Sequence, residues 1–496
     1  MSPPSASGAV PNGAPASPES LPTSVAPRKY ALATLLVHSG ALEEDPLGAS
    51  SPPIYQTATF RQPGATTGGA YDYTRSGNPT RNAVETQWAA LEGAERAFLF
   101  TSGMAALATV THLLSHGDHI VAGDDLYGGT SRLLARVCPA AGLEVTNVDT
   151  CDVEAVIAAL RPGRTKLLML ESPTNPRLQI CDIAALSRAA HDAGALVCVD
   201  NSILTPLYQR PLDLGADISM TSATKYPAGH SDLMAGALAV RDAGLAARLA
   251  FLQNAEGTGL APHDAWLLGR GLKTMALRME RQASNAARLA AWLAARPEVR
   301  GLAYPGLRAS AGHSVHVAQA TGAGAILSFT TGSVELSRAL CEATRLFKIT
   351  VSFGGVASLI LMPCFMSHAS IPAEVRAARG LPDDLIRISA GIEDIDDLLA
   401  DLEQAFDAAT KAVSSECKME ESLAFTGILF QPVPWSPATK RGMPAELEAY
   451  HASPDHTIIN IPPTMMFKAK IFKPSRLCAI FRKESAGVPE GQGTLT

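Results

Sequence analysis

Charge is sparse in this chain of 496 residues. Lys and Arg number 41 against 47 Asp and Glu, and only 18% of residues are charged, giving a net charge of −6. A mildly acidic chain without a basic cluster excludes nucleic acid as its main partner. Apolar residues make up 47%, yet no uninterrupted apolar run reaches the roughly 18 residues a membrane-spanning helix needs, so no membrane segment is expected. The eight cysteines include no CxxC pair. Cys151, Cys181, Cys198 and Cys341 sit in or beside apolar segments and read as reduced core residues, which fits a reducing compartment better than a disulfide framework. His313 and His316 have helical i, i+3 spacing without a third ligand nearby, so they read as a solvated helix face and no metal site is expected.

The first 28 or so residues lack nearly everything a fold needs. They hold Ser, Pro, Ala and Gly, one acid (Glu19) and no base before Arg28. Such a segment cannot bury enough apolar surface to offset its ordering entropy and reads as disordered. It has no apolar core of a secretory signal. It is acid-poor and Ser-rich like a plastid transit peptide, but without the arginines.

What the chain does contain, from about residue 95, is strands alternating with helices. Ala97–Phe100, His119–Ala122, Thr165–Leu170 and Ala195–Val199 are short apolar runs; Ser102-Gly103-Met104 opens a helical stretch through Leu114, and Ile183–Ala193 is another. This alternation implies an α/β fold with a mostly parallel sheet covered by helices. A long helical pattern from Ala261 to about Ala294 leads to a second, smaller α+β part with strand-like Ala325–Phe329 and Leu385–Ser389, helical Leu336–Leu346 and a closing helix from Glu393 to Ala409. The division expected is a disordered segment over 1–34, an N-terminal arm over 35–75, a large domain over 76–272, a C-terminal domain over 273–410, and an extension over 411–496 with no clear helix or strand period and no assigned role.

In parallel sheets ligands bind beyond the carboxyl ends of the strands. There the chain places Asp200 after Val197-Cys198-Val199, and Lys225 within Ser222-Ala223-Thr224-Lys225 after Ile218-Ser219-Met220. An acid and a lysine at the ends of neighbouring strands suit pyridoxal phosphate: the lysine can hold its aldehyde as a Schiff base, and the aspartate can keep its ring nitrogen protonated. Ser222 and Thr224 offer hydroxyls to the phosphate. Ser102-Gly103-Met104 forms a strand-to-helix turn whose amides can face an anion, although plain capping explains it equally. Tyr127 can stack on a ring or cover a loop. Asn175, in Thr174-Asn175-Pro176, can donate to a ring oxygen or serve the turn alone. Asn78-Pro79 is a helix start; before it, Tyr73 and Arg75 suit a phosphate but also fit a surface turn. Arg387 alternates with Ile386 and Ile388 and can clamp a carboxylate or form an ordinary surface ion pair.

These segments together resemble the cystathionine-processing (trans-sulfuration) family of pyridoxal-phosphate enzymes, of fold type I. The residues that carry the resemblance are Tyr73 to Thr80, Ser102 to Ala105, Tyr127-Gly128-Gly129, Glu171 to Pro176, Asp200-Asn201-Ser202 and Ser222 to Tyr226, over about Leu35 to Ala409. Within that family, Gln253 to Pro262 and Met362 to Ser370 are most similar to the plant-type cystathionine β-lyases. Ala357 stands where γ-acting relatives commonly carry glutamate, and Gly129 where methionine γ-lyases carry cysteine.

The resemblance implies a set of roles. Lys225 holds the cofactor and shuttles the α-proton, Asp200 pairs with the ring nitrogen, and Tyr127 stacks on the ring. Gly103, Met104, Ser222 and Thr224 bind the phosphate. Tyr73 and Arg75 reach the phosphate of a neighbouring subunit, which requires a homo-oligomer, a tetramer built from dimers with shared sites. Arg387 with Ser352 receives the α-carboxylate of an amino-acid substrate, and Asn175 touches the carboxylate or the ring oxygen. It further implies β-elimination of L-cystathionine to homocysteine, pyruvate and ammonia in methionine biosynthesis, in a plastid, with the cytoplasm as the alternative. A γ-acting synthase or lyase is the nearest rival, and a catalytically silent binding protein the more distant one.

Overall fold

Seven strands build the main sheet: β1 (Arg96–Phe100), β2 (His119–Gly123), β3 (Glu144–Val148), β4 (Thr165–Glu171), β5 (Leu196–Asp200), β6 (Ile218–Thr221) and β7 (Gly236–Val240), in the order β1-β7-β6-β5-β4-β2-β3. Only β7 runs against its neighbours; β6, β5, β4, β2 and β3 pair in parallel. The computed structural model describes residues 30–38, 47–369, 371 and 373–425. Most of the low-complexity start and of the 411–496 extension lies outside the described residues.

Strand period two sorts the core into two layers. Leu167, Met169, Cys198, Ile218 and Met220 pack on one face with Ala106, Leu107 and Val110 of the helix Gly103–Thr111. Leu168, Leu170, Val197 and Val199 pack on the other with Ile183, Leu186 and Ala190 of the helix Ile183–Asp192. Burial on both faces is what makes these strands continuous apolar runs. It also means that the first polar residue past each run marks the strand's end, and the parallel strands bring those ends to one edge.

A second sheet of five strands follows: β8 (Gly301–Ala303), β9 (Ile326–Thr330), β10 (Lys348–Ile349), β11 (Leu359–Leu361) and β12 (Ile386–Ser389), ordered β10-β11-β12-β9-β8 and antiparallel except for the β10–β11 pair. Ile386 and Ile388 turn into the core that this sheet shares with Leu99, Ala223 and Met279, so Arg387 projects from the opposite face. The described residues up to Val413 belong to one compact unit.

The helix Pro79–Glu92 starts as its sequence dictates. Asn78 Oδ1 accepts from the Thr80 amide at 3.0 Å, with Pro79 in the first helical position. Other expectations are corrected. The single helical pattern over 261–294 is two helices, Pro262–Leu272 and Met275–Ala294. At the break the buried Arg278 donates to the Gly271 and Tyr226 carbonyls, both at 2.8 Å. The break therefore fixes the segment that follows Lys225. The closing helix runs to Ile395–Phe425 rather than stopping at Ala409, so helix extends into the segment read as aperiodic. A short helix, Leu32–Val37, spans the expected boundary at 34; the Leu36 side chain is buried and the Leu36 carbonyl accepts from Gln87 at 2.8 Å.

Two side chains read from apolar neighbours or helical spacing lie elsewhere than expected. Cys151 is exposed, because it sits in the turn that Asp152 uses to cap the helix Val153–Ala159. His316 is buried rather than solvated, with Nε2 3.1 Å from the Gly322 carbonyl, because its helix lies in the joint between the sheets. Among the described residues no cluster of metal-ligating side chains occurs, and no helix is long and apolar enough to cross a membrane.

Candidate active site

The carboxyl ends of β4, β5 and β6 open onto a cavity of about 260 Å³. Glu171 and Asp200, the last residues of β4 and β5, are register partners and project to the face covered by the helix Gly103–Thr111. Asp200 Oδ1 accepts from the Ser202 amide at 2.9 Å and from its hydroxyl at 2.6 Å, while Oδ2 has no hydrogen bond from any described residue. Burial pushes the Asp200 carboxyl up, and the two Ser202 bonds and Lys225 oppose this. Glu171 lies well above the usual carboxylate range because of burial and the charge of Asp200.

Lys225 follows β6 by four residues. Its Nζ donates to Ser352 Oγ at 2.7 Å and lies 5.1 Å from the centre of the Phe353 ring. Burial, and then the Arg387 cation, lower its pKa to about 8, against the pull of Asp200. An amine so placed has a substantial neutral fraction near pH 7–8, which a proton acceptor requires.

Arg387 is 2% exposed. Its Nη1 donates to Asn175 Oδ1 at 2.9 Å and its Nη2 to the Ser352 carbonyl, but Nε has no partner and no carboxylate pairs with it among the described residues. Burial lowers its pKa to about 10, so it stays charged at neutral pH. A buried guanidinium with a free donor and no counter-ion is costly to keep unless an anion arrives. Ser352, which joins Lys225 to Arg387, has φ 90°, a left-handed conformation that costs a non-glycine residue roughly 1–3 kcal/mol.

The opposite wall is built for an anion. Ser102 caps the helix Gly103–Thr111 by accepting from the Ala105 amide at 3.1 Å, and the Gly103 and Met104 amides are left without partners among the described residues. A Cβ on Gly103 would lie 3.3 Å from Ser222 Oγ and 3.1 Å from Met220 Cε, so glycine keeps this corner open. Tyr127, 41% exposed, lines the same cavity. A Cβ on Gly129 would come within 2.5 Å of the Tyr127 ring and 2.8 Å of Met104 Sδ, so a cysteine there would displace the tyrosine.

Residues expected at the site therefore converge in one cavity: Gly103, Met104, Tyr127, Asn175, Asp200, Ser222, Thr224, Lys225, Ser352 and Arg387. Two details differ, at Thr224 and at Ala357. The Thr224 hydroxyl bonds the Ala235 backbone, donating at 3.1 Å and accepting at 3.0 Å, so its proton is engaged in the turn. Tyr73 and Arg75, expected to serve a neighbouring subunit, do not line this chain's cavity; both are exposed, with the Arg75 guanidinium 5.5 Å from the Tyr73 ring centre. Ala357 is outside the wall as well, and the residues that line it on either side of Ser352, Val351 and Phe353, are apolar. Glu171, Ser202 and Phe353 went unassigned in the sequence. The parity Glu171 shares with Asp200, each ending a buried strand, was the signal available for it.

This donor set fits pyridoxal phosphate. Free amides at a helix start suit a phosphate, the open Oδ2 of Asp200 suits a protonated ring nitrogen, and the lysine amine lies in the same cavity.

Comparison with known proteins agrees. The sequence profile described as Cys/Met metabolism PLP-dependent enzyme matches residues 33–407. A relative named cystathionine beta-lyase, chloroplastic, from Arabidopsis thaliana is 58% identical over 388 residues, 78% of this chain and 83% of the relative. A protein of the same name from Mimosa pudica is 58% identical over 363 residues, 73% of this chain and 79% of the relative. Among solved structures, cystathionine gamma-lyase from Lactobacillus plantarum, complexed with L-serine, superposes with a TM-score of 0.75 at 43% identity, covering 77% of this chain and all of that one.

Proposed function

The chain belongs to the Cys/Met metabolism PLP-dependent enzymes, and from that premise we propose that it is a carbon–sulfur lyase performing β-elimination on L-cystathionine, yielding homocysteine, pyruvate and ammonia with consumption of one water, in methionine biosynthesis. The observation that carries the reading is the bridge through Ser352, which sets a lysine amine of lowered pKa beside a buried guanidinium that has no counter-ion among the described residues. That pairing addresses the α-hydrogen and the α-carboxylate of one amino acid. The choice of β over γ is supported by the 58%-identical relatives named β-lyases and by Val351, which presents no second proton carrier beside Ser352.

The residues act in a definite order. Arg387, which lines the cavity, takes the α-carboxylate, with Asn175 and Ser352 holding the guanidinium in place. Neutral Lys225 Nζ removes the α-proton and returns a proton to the departing sulfur. Pyridoxal phosphate, when bound, supplies the electron sink that makes the α-proton removable. Asp200 Oδ2 would hold the proton on the ring nitrogen, and Ser202 favours the ionised form of that carboxyl group by donating twice to Oδ1, against the effect of burial. The Gly103 and Met104 amides and Ser222 hold the phosphate, with Thr224 joining if its hydroxyl turns from Ala235. Incubating the holoenzyme with cystathionine should release homocysteine as the thiol; cysteine as the thiol overturns the β assignment.

Tyr73 and Arg75 complete the site from a neighbouring subunit of a homo-oligomer, a tetramer of dimers in this reading, which is consistent with their exposure away from this chain's own cavity. Lys225→Ala and Arg75→Ala are each expected to be nearly inactive. Unfolded and reassembled together in equal amounts, they form mixed dimers in which one site is intact, and about a quarter of wild-type activity returns. No recovery above the separate variants contradicts shared sites. By analogy with the two chloroplastic relatives, the chain is placed in a plastid.

A further inference from the structure

Glu171 carries no role in the scheme above, yet it joins both halves of the site. The side chain is 6% exposed and lines the cavity next to Asp200, its register partner. Its two oxygens serve different loops. Oε2 accepts from the Tyr127 amide at 3.0 Å, and Oε1 accepts from the Asn175 amide at 2.8 Å. The Tyr127 loop presents the ring expected over the cofactor. The Asn175 loop presents Oδ1 to Arg387 at 2.9 Å. A second tie between the same loops, Thr174 Oγ1 to Asp125 Oδ2 at 2.5 Å, lies behind this one and does not reach the cavity.

We propose that Glu171 is a positioning residue whose single carboxyl group sets the Tyr127 ring and the Asn175–Arg387 clamp as one unit. The geometry leaves few substitutes. Both oxygens of the carboxyl group are used as acceptors for backbone N–H groups. Glutamine keeps one acceptor and turns an NH2 donor toward the other amide, so one loop loses its anchor. Aspartate keeps the charge but is one methylene too short to span both amides. Residues two positions apart along β4 point the same way, so Glu171 shares its face with Met169, whose packing in the core holds the strand end still.

The inference rests on the reading of the cavity as an amino-acid site, but its test does not require cystathionine to be cleaved. Glycine, which offers a carboxylate and no leaving group, is titrated into the holoenzyme and followed by cofactor absorbance. Pyridoxal phosphate is titrated into the cofactor-free protein and followed by tryptophan fluorescence. Glu171→Gln is expected to weaken both by about tenfold, the range for leaving a buried backbone N–H without its acceptor. Asn175→Ala removes the Arg387 contact by itself. If Glu171 acts through Asn175, the double variant loses less glycine affinity than the product of the single losses. Wild-type affinities in Glu171→Gln, or glycine losses that multiply fully, overturn the proposal. A general loss of packing would lower thermal stability without producing that sub-multiplicative result. Should Glu171→Gln fail to fold, the same cycle is run with Glu171→Asp, for which wild-type affinities likewise overturn it. A wild-type protein that binds glycine normally but releases no homocysteine defeats the lyase reading and leaves this one standing.

Discussion

Replacing Lys225 with alanine should abolish turnover, lowering kcat by at least about 10⁴-fold, because one side chain both anchors the cofactor and moves the proton. The fold should survive, since among the described residues the only side-chain hydrogen bond lost is the 2.7 Å contact to Ser352 Oγ. Keto-acid production measured beside circular dichroism separates the two effects, and appreciable turnover in a folded Lys225→Ala protein would remove the lysine from the mechanism. The same amine has a measurable signature in the cofactor-free wild type. Its pKa is lowered to about 8, first by burial and then by Arg387. Acylation of Lys225 should therefore rise through a midpoint near pH 8, while surface lysines follow near the ordinary ~10.4. Arg387→Met removes a neighbouring cation that disfavours the protonated amine, so in that variant the midpoint moves up.

Arg387→Ala should damage substrate capture, with kcat/KM falling about 10²–10³-fold and most of the loss in KM. Truncating one partner of a buried charged contact costs roughly 2–5 kcal/mol. Here the deletion also strands Asn175 Oδ1 and the Ser352 carbonyl, both of which accept from the guanidinium. Arg387→Lys should recover only part of the loss. An ammonium keeps the charge, but it cannot bond Asn175, bond Ser352 and offer a further donor in one plane. Steady-state kinetics on all three proteins decides the matter. Equal KM values in wild type and Arg387→Ala would mean that the carboxylate binds elsewhere.

How much of this was legible in the sequence differs by residue, for physical reasons. Asp200 and Lys225 could be placed because a parallel sheet buried on both faces writes its strands as apolar runs, and the first polar residues past those runs sit at the ligand edge. Arg387 could be placed on a strand face by alternation, but its lack of a counter-ion could not be read, because that depends on which side chains of the first sheet face the second. The Asn78 cap was legible because capping is local. The break at Lys273–Thr274 was not, since its cause is Arg278 reaching carbonyls that belong to the fold and not to its own helix. Cys151 and His316 were misplaced for one reason: apolar neighbours or helical spacing say which residues adjoin a core, and only tertiary packing says which way each one turns. Ala357 misled similarly. A residue matched by motif lies outside the wall, and Val351 faces the cavity in its place.

Regiochemistry is the central claim, and one experiment addresses it directly: cystathionine labelled with carbon-13 throughout its three-carbon arm, incubated with the holoenzyme and followed by nuclear magnetic resonance. The label is expected in pyruvate, with homocysteine released unlabelled. Label appearing in cysteine, with unlabelled 2-oxobutyrate beside it, would contradict that claim.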